Sequence, residues 1–87
     1  MAQFPKISNP WEVPNQFIIE TAQGEIFQSY RSIIAIKKTN GKIVLDANKW
    51  DFSTTTGKYR NKFLGESINE TRKKIESGEY KLMDLNK

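Results

Sequence analysis

Apolar and polar positions divide the chain into a proline-bearing start, a β-rich first half and a helical second half. Phe17-Ile18-Ile19-Glu20-Thr21 is β-branched and aromatic and predicts a strand. Ala22-Gln23-Gly24 turns the chain, and residues 25–30 predict a second strand of mixed pattern. The sharpest local signal is Thr39-Asn40-Gly41, flanked by residues 33–38 and 42–46, because Asn-Gly is the preferred centre of a type I′ hairpin turn. A two-residue loop at Asn40-Gly41 sets Thr39 opposite Lys42, Lys38 opposite Ile43 and Ile36 opposite Leu45. Alternation then turns Ile34, Ile36, Ile43 and Leu45 to the core, and Lys37, Val44, Asp46 and Asn48 to solvent.

After Trp50-Asp51-Phe52 the period changes. Ser53, Thr54, Thr55 and Thr56 offer N-caps for a helix running to about Leu64, with Gly65 as the residue beyond its end. Thr56, Tyr59 and Phe63 cluster on one side with Leu64 further round, and Lys58, Asn61 and Lys62 lie opposite. Ser67 with Glu70 three residues on forms a capping box for a second helix, which Gly78 ends. Its apolar stripe, Ile68, Thr71 and Ile75, is narrow, and Lys73 and Lys74 point outward. Residues 79–85, with Tyr80, Leu82 and Leu85, predict a last strand added to the sheet.

These elements make a single α+β domain over residues 17–87: an antiparallel sheet of about four to five strands with two short helices on one face. Residues 1–16 precede it as an extended Pro-rich arm, holding Pro5, Pro10 and Pro14, since proline fixes φ and removes a donor. Phe4, Trp11 and Val13 are the arm's apolar content. Trp11 either docks the arm on the domain or anchors a partner.

Eighty-seven residues, 37% of them apolar and 28% charged, suit one small packed domain. There is no cysteine or histidine, which removes disulfides, thiolate zinc sites and the commonest general base. Asp46 and Asp51 are near neighbours, but no dense acidic constellation resembles a magnesium or calcium loop. Thr56-Gly57-Lys58 ends like a phosphate-binding loop, yet Phe52 stands where its upstream glycine belongs. No catalytic residue, metal site or cofactor is expected. The longest apolar run, Ile33-Ile34-Ala35-Ile36, is far short of a membrane span, so a soluble cytoplasmic protein with no membrane partner is expected.

Net charge is +4 and unevenly spread. Residues 37–74 carry ten basic and four acidic side chains, whereas the segments on either side are each at −1. Lys58, Lys62, Lys73 and Lys74 on helix faces, with Lys37, Lys38, Lys42 and Lys49 on or beside the hairpin, could contact phosphates of DNA or RNA. Tyr30, Trp50, Phe52 and Tyr59 could stack on unpaired bases. The competing explanation is solubility, with Glu70 placed to pair with Lys73 and Lys74.

Arg60 falls between Phe63 and Leu64 on its helix, where an apolar residue is expected. A buried structural role with an ion pair to Asp46 or Asp51 is one reading, and a guanidinium lining a groove is the other.

Trp50-Asp51-Phe52-Ser53-Thr54-Thr55-Thr56-Gly57-Lys58-Tyr59-Arg60, followed by Phe63-Leu64-Gly65, is the most distinctive stretch. It resembles a pattern in a family of small uncharacterised proteins of bacteriophages and related mobile elements. The upstream Phe27-Gln28-Ser29-Tyr30 and the Ile-rich hairpin are similar too, so the resemblance spans about residues 17–85. That family carries no assigned activity, so the resemblance implies a phage origin and no site residues.

The expected function is therefore a non-enzymatic protein that docks on a host or phage protein in the host cytoplasm, with Trp11, Tyr30 and Arg60 as contact candidates. The alternative is nucleic-acid binding through Lys37, Lys38, Lys58, Lys62, Lys73 and Lys74. Sheet-edge pairing into a homodimer is a further expectation.

Overall fold

The computed structural model describes residues 5–86, so Phe4 of the arm lies outside the described residues. In chain order the elements are β1 (Lys6–Ser8), β2 (Gln16–Thr21), β3 (Gly24–Ser29), β4 (Ser32–Lys38), β5 (Ile43–Asp46), α1 (Thr54–Leu64), α2 (Ile68–Glu76) and β6 (Tyr80–Met83). All six strands form one sheet in sequence order, β1-β2-β3-β4-β5-β6. The class is α+β, as expected, but the sheet is larger and mixed.

Two strand expectations need correcting. Part of the arm is a strand: β1 pairs antiparallel with β2, Ile7 opposite Ile19. Pro5 and Pro10 bracket it, which suits a short edge strand. The last strand runs parallel to β5, with Ile43 opposite Tyr80 and Leu45 opposite Leu82. Both helices lie in the β5–β6 connection, and such a crossover returns the chain to the end where β5 began.

The hairpin register also differs by one residue. Lys37 stands opposite Ile43, Ile36 opposite Val44 and Ala35 opposite Leu45. Lys38 and Lys42 close a three-residue loop, with Lys38 N–H donating to Lys42 O at 2.8 Å and Gly41 N–H to Lys38 O at 2.9 Å. Gly41, at φ 86°, takes the left-handed position that such a loop requires. The inward set therefore includes Ala35 with Leu45, while Ile36 and Val44 share the opposite face.

A β-bulge in β4 modifies this alternation. Phe27 pairs with Ala35 but Gln28 pairs with Ile33, which leaves Ile34 without an opposite number. Ile34 and Ala35 are thereby both fully buried in succession. The core consists of Phe27, Ile34, Ala35, Leu45, Tyr59, Phe63 and Tyr80, with Trp11, Val13, Ile18, Ile43, Trp50, Leu64 and Ile75 packed against it.

The helices form where the sequence places them. Ser53 caps α1 by accepting from Thr56 N–H, and Gly65 at φ 71° ends it. Ser67 and Glu70 complete the capping box of α2. Phe63 stacks on Phe27 with centroids 5.6 Å apart, and Ser29 Oγ bonds Thr56 Oγ1 at 2.8 Å, which fixes α1 on the Phe27 face of the sheet. Tyr80 ties α2 to that same face.

Candidate partner-binding surfaces

Trp11 belongs to the core's border. It meets Phe27 edge-on at 5.8 Å and Tyr59 at 5.3 Å and 45°, and is half-buried. Asn9 shapes the approach by bonding both backbone groups of Val13. The arm is therefore docked on the domain through Trp11, whose ring is committed within the molecule.

Tyr30 has the opposite placement. It is 45% exposed at the tip of the β3–β4 hairpin, whose closing pair is Ser29 opposite Ser32. Its φ of 57° lies in the region where side chains other than glycine, asparagine and aspartate are uncommon. Two contacts hold it there: Tyr30 N–H donates to Asn15 O at 2.6 Å, and Gln28 Nε2 donates to Tyr30 O at 2.8 Å.

Arg60 is fully buried. Its Nη1 donates to Trp50 O at 2.6 Å and Asp51 Oδ1 at 3.2 Å, its Nη2 donates to Asn61 Oδ1 at 3.0 Å, and its guanidinium lies 5.2 Å from the Trp50 ring centroid. Asp51 also accepts from Arg72 Nη2 of α2 at 3.3 Å. The Trp-Asp stretch is thus a latch between the β5–α1 loop and both helices. Arg60 offers no surface to a partner because all of it is enclosed. A groove of about 590 Å³ opens at the latch. Enclosed as it is, Arg60 stands with Asp51 in the groove's wall beside Phe52, Ser53, Lys58, Asn61 and Ile68, so the buried, ion-paired guanidinium also lines a groove.

The lysines do not share one face. Lys58 and Lys62 flank the Tyr59 ring at 5.5 and 5.3 Å, and Lys37 lies 4.5 Å from the Phe63 centroid, which gathers three cations on the helix side. Lys38 borders the opposite face of the sheet, and Lys73 is exposed on α2. Lys74 is taken up by Glu66, with Nζ to Oε1 at 2.8 Å.

Glu66, buried between α1 and α2, also accepts from Thr71 Oγ1 at 2.6 Å and Tyr80 OH at 2.8 Å. Burial works to raise the Glu66 carboxyl, but bonds from Lys74, Thr71 and Tyr80 outweigh it and hold the group below its ordinary value. Burial, then the Glu66 bond, pushes the Tyr80 phenol up to about 12. Lys74 is raised, chiefly by its bond to Glu66. Asp46 is almost fully buried, and burial there too is outweighed, by the N–H groups of Leu85, Asn48 and Lys49 and by the Asn86 side chain, so its carboxyl is lowered. These groups serve closure of the fold. Among the described residues no cluster of three or more acidic side chains could hold a metal ion.

Sequence reasoning missed one surface. Ile7, Ile19, Ile26, Ile36 and Val44 stand opposite one another in successive pairings across β1–β5. The period-two placement of these aliphatics was visible, but the hairpin register assigned Ile36 to the core.

Neither a curated protein nor a solved structure matches the chain. A family match covers residues 9–80 of 87, from the loop after β1 to the start of β6 and including the Trp-Asp latch. The chain thus belongs to the Family of unknown function (DUF8033).

Proposed function

We propose that this protein is a non-enzymatic docking module, phage-encoded and acting in the host cytoplasm, that binds a host or phage protein through the hairpin tip bearing Tyr30. The observation that carries this reading is an exposed tyrosine at positive φ. Such a backbone costs about 1–3 kcal/mol in a side chain that gains nothing locally from it, and strain of this kind concentrates at contact sites. Glycine would occupy the turn without strain. A tyrosine there gives a partner a large amphipathic ring at low entropic cost. Asn15 and Gln28 hold its backbone N–H and C=O in this conformation.

Capture from host lysate with wild-type and Tyr30→Gly protein tests the reading. The variant is expected to melt at the same or a higher temperature and to lose the captured protein. Undiminished capture by Tyr30→Gly would remove Tyr30 from the interface.

A second reading has one observation in its favour, the gathering of Lys37, Lys58 and Lys62 around Tyr59 and Phe63. It assigns nucleic-acid binding to the outer side of α1. It predicts binding to labelled DNA or RNA that falls steeply between about 50 and about 200 mM salt and is indifferent to Tyr30→Gly.

A further inference from the structure

The Ile7–Ile19–Ile26–Ile36–Val44 row lies on the sheet face that carries no helix, because Ile26 and Ile36 alternate with Phe27 and Ala35 of the core. None of the five joins the core cluster; Val44, at one end of the row, is already buried by its neighbours, while Ile19, Ile26 and Ile36 are half-buried. Phe17 and Ile33 extend the apolar surface through their pairings with Gln28. Ile7 is 64% exposed. Lys81, opposite Val44 on β6, and Lys38, opposite Gly24, stand at the margins.

We propose that a second copy of the chain covers this face, the two sheets packing against each other across a twofold axis that runs along the strands near Ile26. Strands β1 to β5, three to seven residues long and about 4.8 Å apart, offer a footprint of roughly 400 Å² per copy. The pair would bury roughly 800 Å² before corrugation is counted, the size of a weak association that forms as concentration rises. β-branched rows of this kind interdigitate in sheet-on-sheet packing at about 10 Å. A 200 Å³ recess between Ile7, Phe17, Ile19 and Gln28 has room for a side chain from the facing sheet. With the axis at Ile26, β1 of one copy lies over β5 of the other, and both Lys81 side chains stay outside.

The sheet edges are poorer candidates for the same association. β1 has three residues between Pro5 and Pro10, and β6 has four and carries Lys81; short strands, proline and lysine are the usual means of blunting an edge. The inference stands on the strand pairings and is independent of Tyr30.

Sedimentation equilibrium across a dilution series tests it. The weight-average mass of the full chain should double from 10.1 kDa as concentration rises, and Ile26→Lys should abolish the doubling while leaving far-UV circular dichroism unchanged. Should Ile26→Lys fail to fold, Ile26→Cys takes its place, since the chain has no cysteine of its own. Oxidised Ile26→Cys protein should form a covalent dimer much faster than Lys62→Cys, whose site is on the outer side of α1. Tyr30→Gly should dimerise like wild type whether or not it binds a partner. A wild-type mass that stays at one chain throughout would overturn the proposal and leave the face to a different protein. A dimer that survives Ile26→Lys, or equal cross-linking at the two sites, would overturn it in favour of edge pairing.

Discussion

Gln16 fits its surroundings less well than any other described side chain in the sheet. It is fully buried, and neither its Nε2 nor its Oε1 has a hydrogen-bond partner. Ser29, directly opposite on β3, spends its hydroxyl on Thr56 instead. A buried polar group without a partner costs about 1–3 kcal/mol, and a methionine of similar shape would remove that cost. Gln16→Met is therefore expected to raise stability by about 1–2 kcal/mol, read as a higher urea midpoint at an unchanged slope. A lower midpoint would show that the carboxamide has a partner in solution. Gln16 could not be singled out from sequence, since nothing in its neighbours says which end of β2 is covered by α1. Arg60 could be, because a cation between Phe63 and Leu64 on a short amphipathic helix needs a buried acceptor. Of its two expected partners Asp51 is the one used, while Asp46 is occupied by backbone N–H groups. The conformation of Tyr30 was not legible, because no glycine or asparagine marks its turn.

Elements defined by local chemistry were readable, and elements defined by distant pairing were not. The caps of α1 and α2, and Gly65, follow from residues within a few positions of one another. The Asn40-Gly41 turn was found, yet its loop length was one residue short, since Gly41 in the left-handed region serves a three-residue loop as well as a two-residue one. Glu66 shows how the later elements are joined, because Lys74, Thr71 and Tyr80 bring α2 and β6 to one carboxylate. Its folded value lies below its ordinary 4.5, so the stability it supplies is complete above pH 4.5 and lost as pH falls through the lowered folded value. Asp46, lowered from 3.8, titrates in the same acid region. Glu66→Gln is expected to lower stability at neutral pH and to flatten part of the loss on acidification, leaving the part due to Asp46. Unfolding free energies measured from pH 7 downward would check both. A variant with an undiminished acid limb would show that Glu66 is not linked to folding.

At the scale of the whole molecule, a one-residue register difference decided which apolar residues looked like core. Moving the hairpin pairing by one leaves Ile43 and Leu45 on the core side but puts Ala35 there in place of Ile36, which joins Val44 on the opposite face. The helix-free row became visible only when all four pairings were known together. The C-terminal segment is similar, because its role depends on residues far away in the chain. β5 has four residues against seven in β4, so the start of β4 extends past its neighbour. Asn86 fills that gap: Ile33 N–H donates to its Oδ1 at 2.7 Å, and its Nδ2 donates to Ile33 O at 2.9 Å. Leu85 N–H, one residue earlier, is bound by Asp46 Oδ1 at 2.7 Å. One amide side chain thus does for β4 what another residue of β5 would have done, across 53 positions of sequence. Asn86→Ala removes both bonds at a site open to water, so the cost is modest, about 1–2 kcal/mol for two ordinary hydrogen bonds. The local effect is larger than the global one. Hydrogen exchange at the Ile33 amide should accelerate by more than the change in overall stability explains, while amides in the middle of β3 follow overall stability alone. Equal acceleration at both places would mean that the C-terminal segment acts on the fold only as a whole.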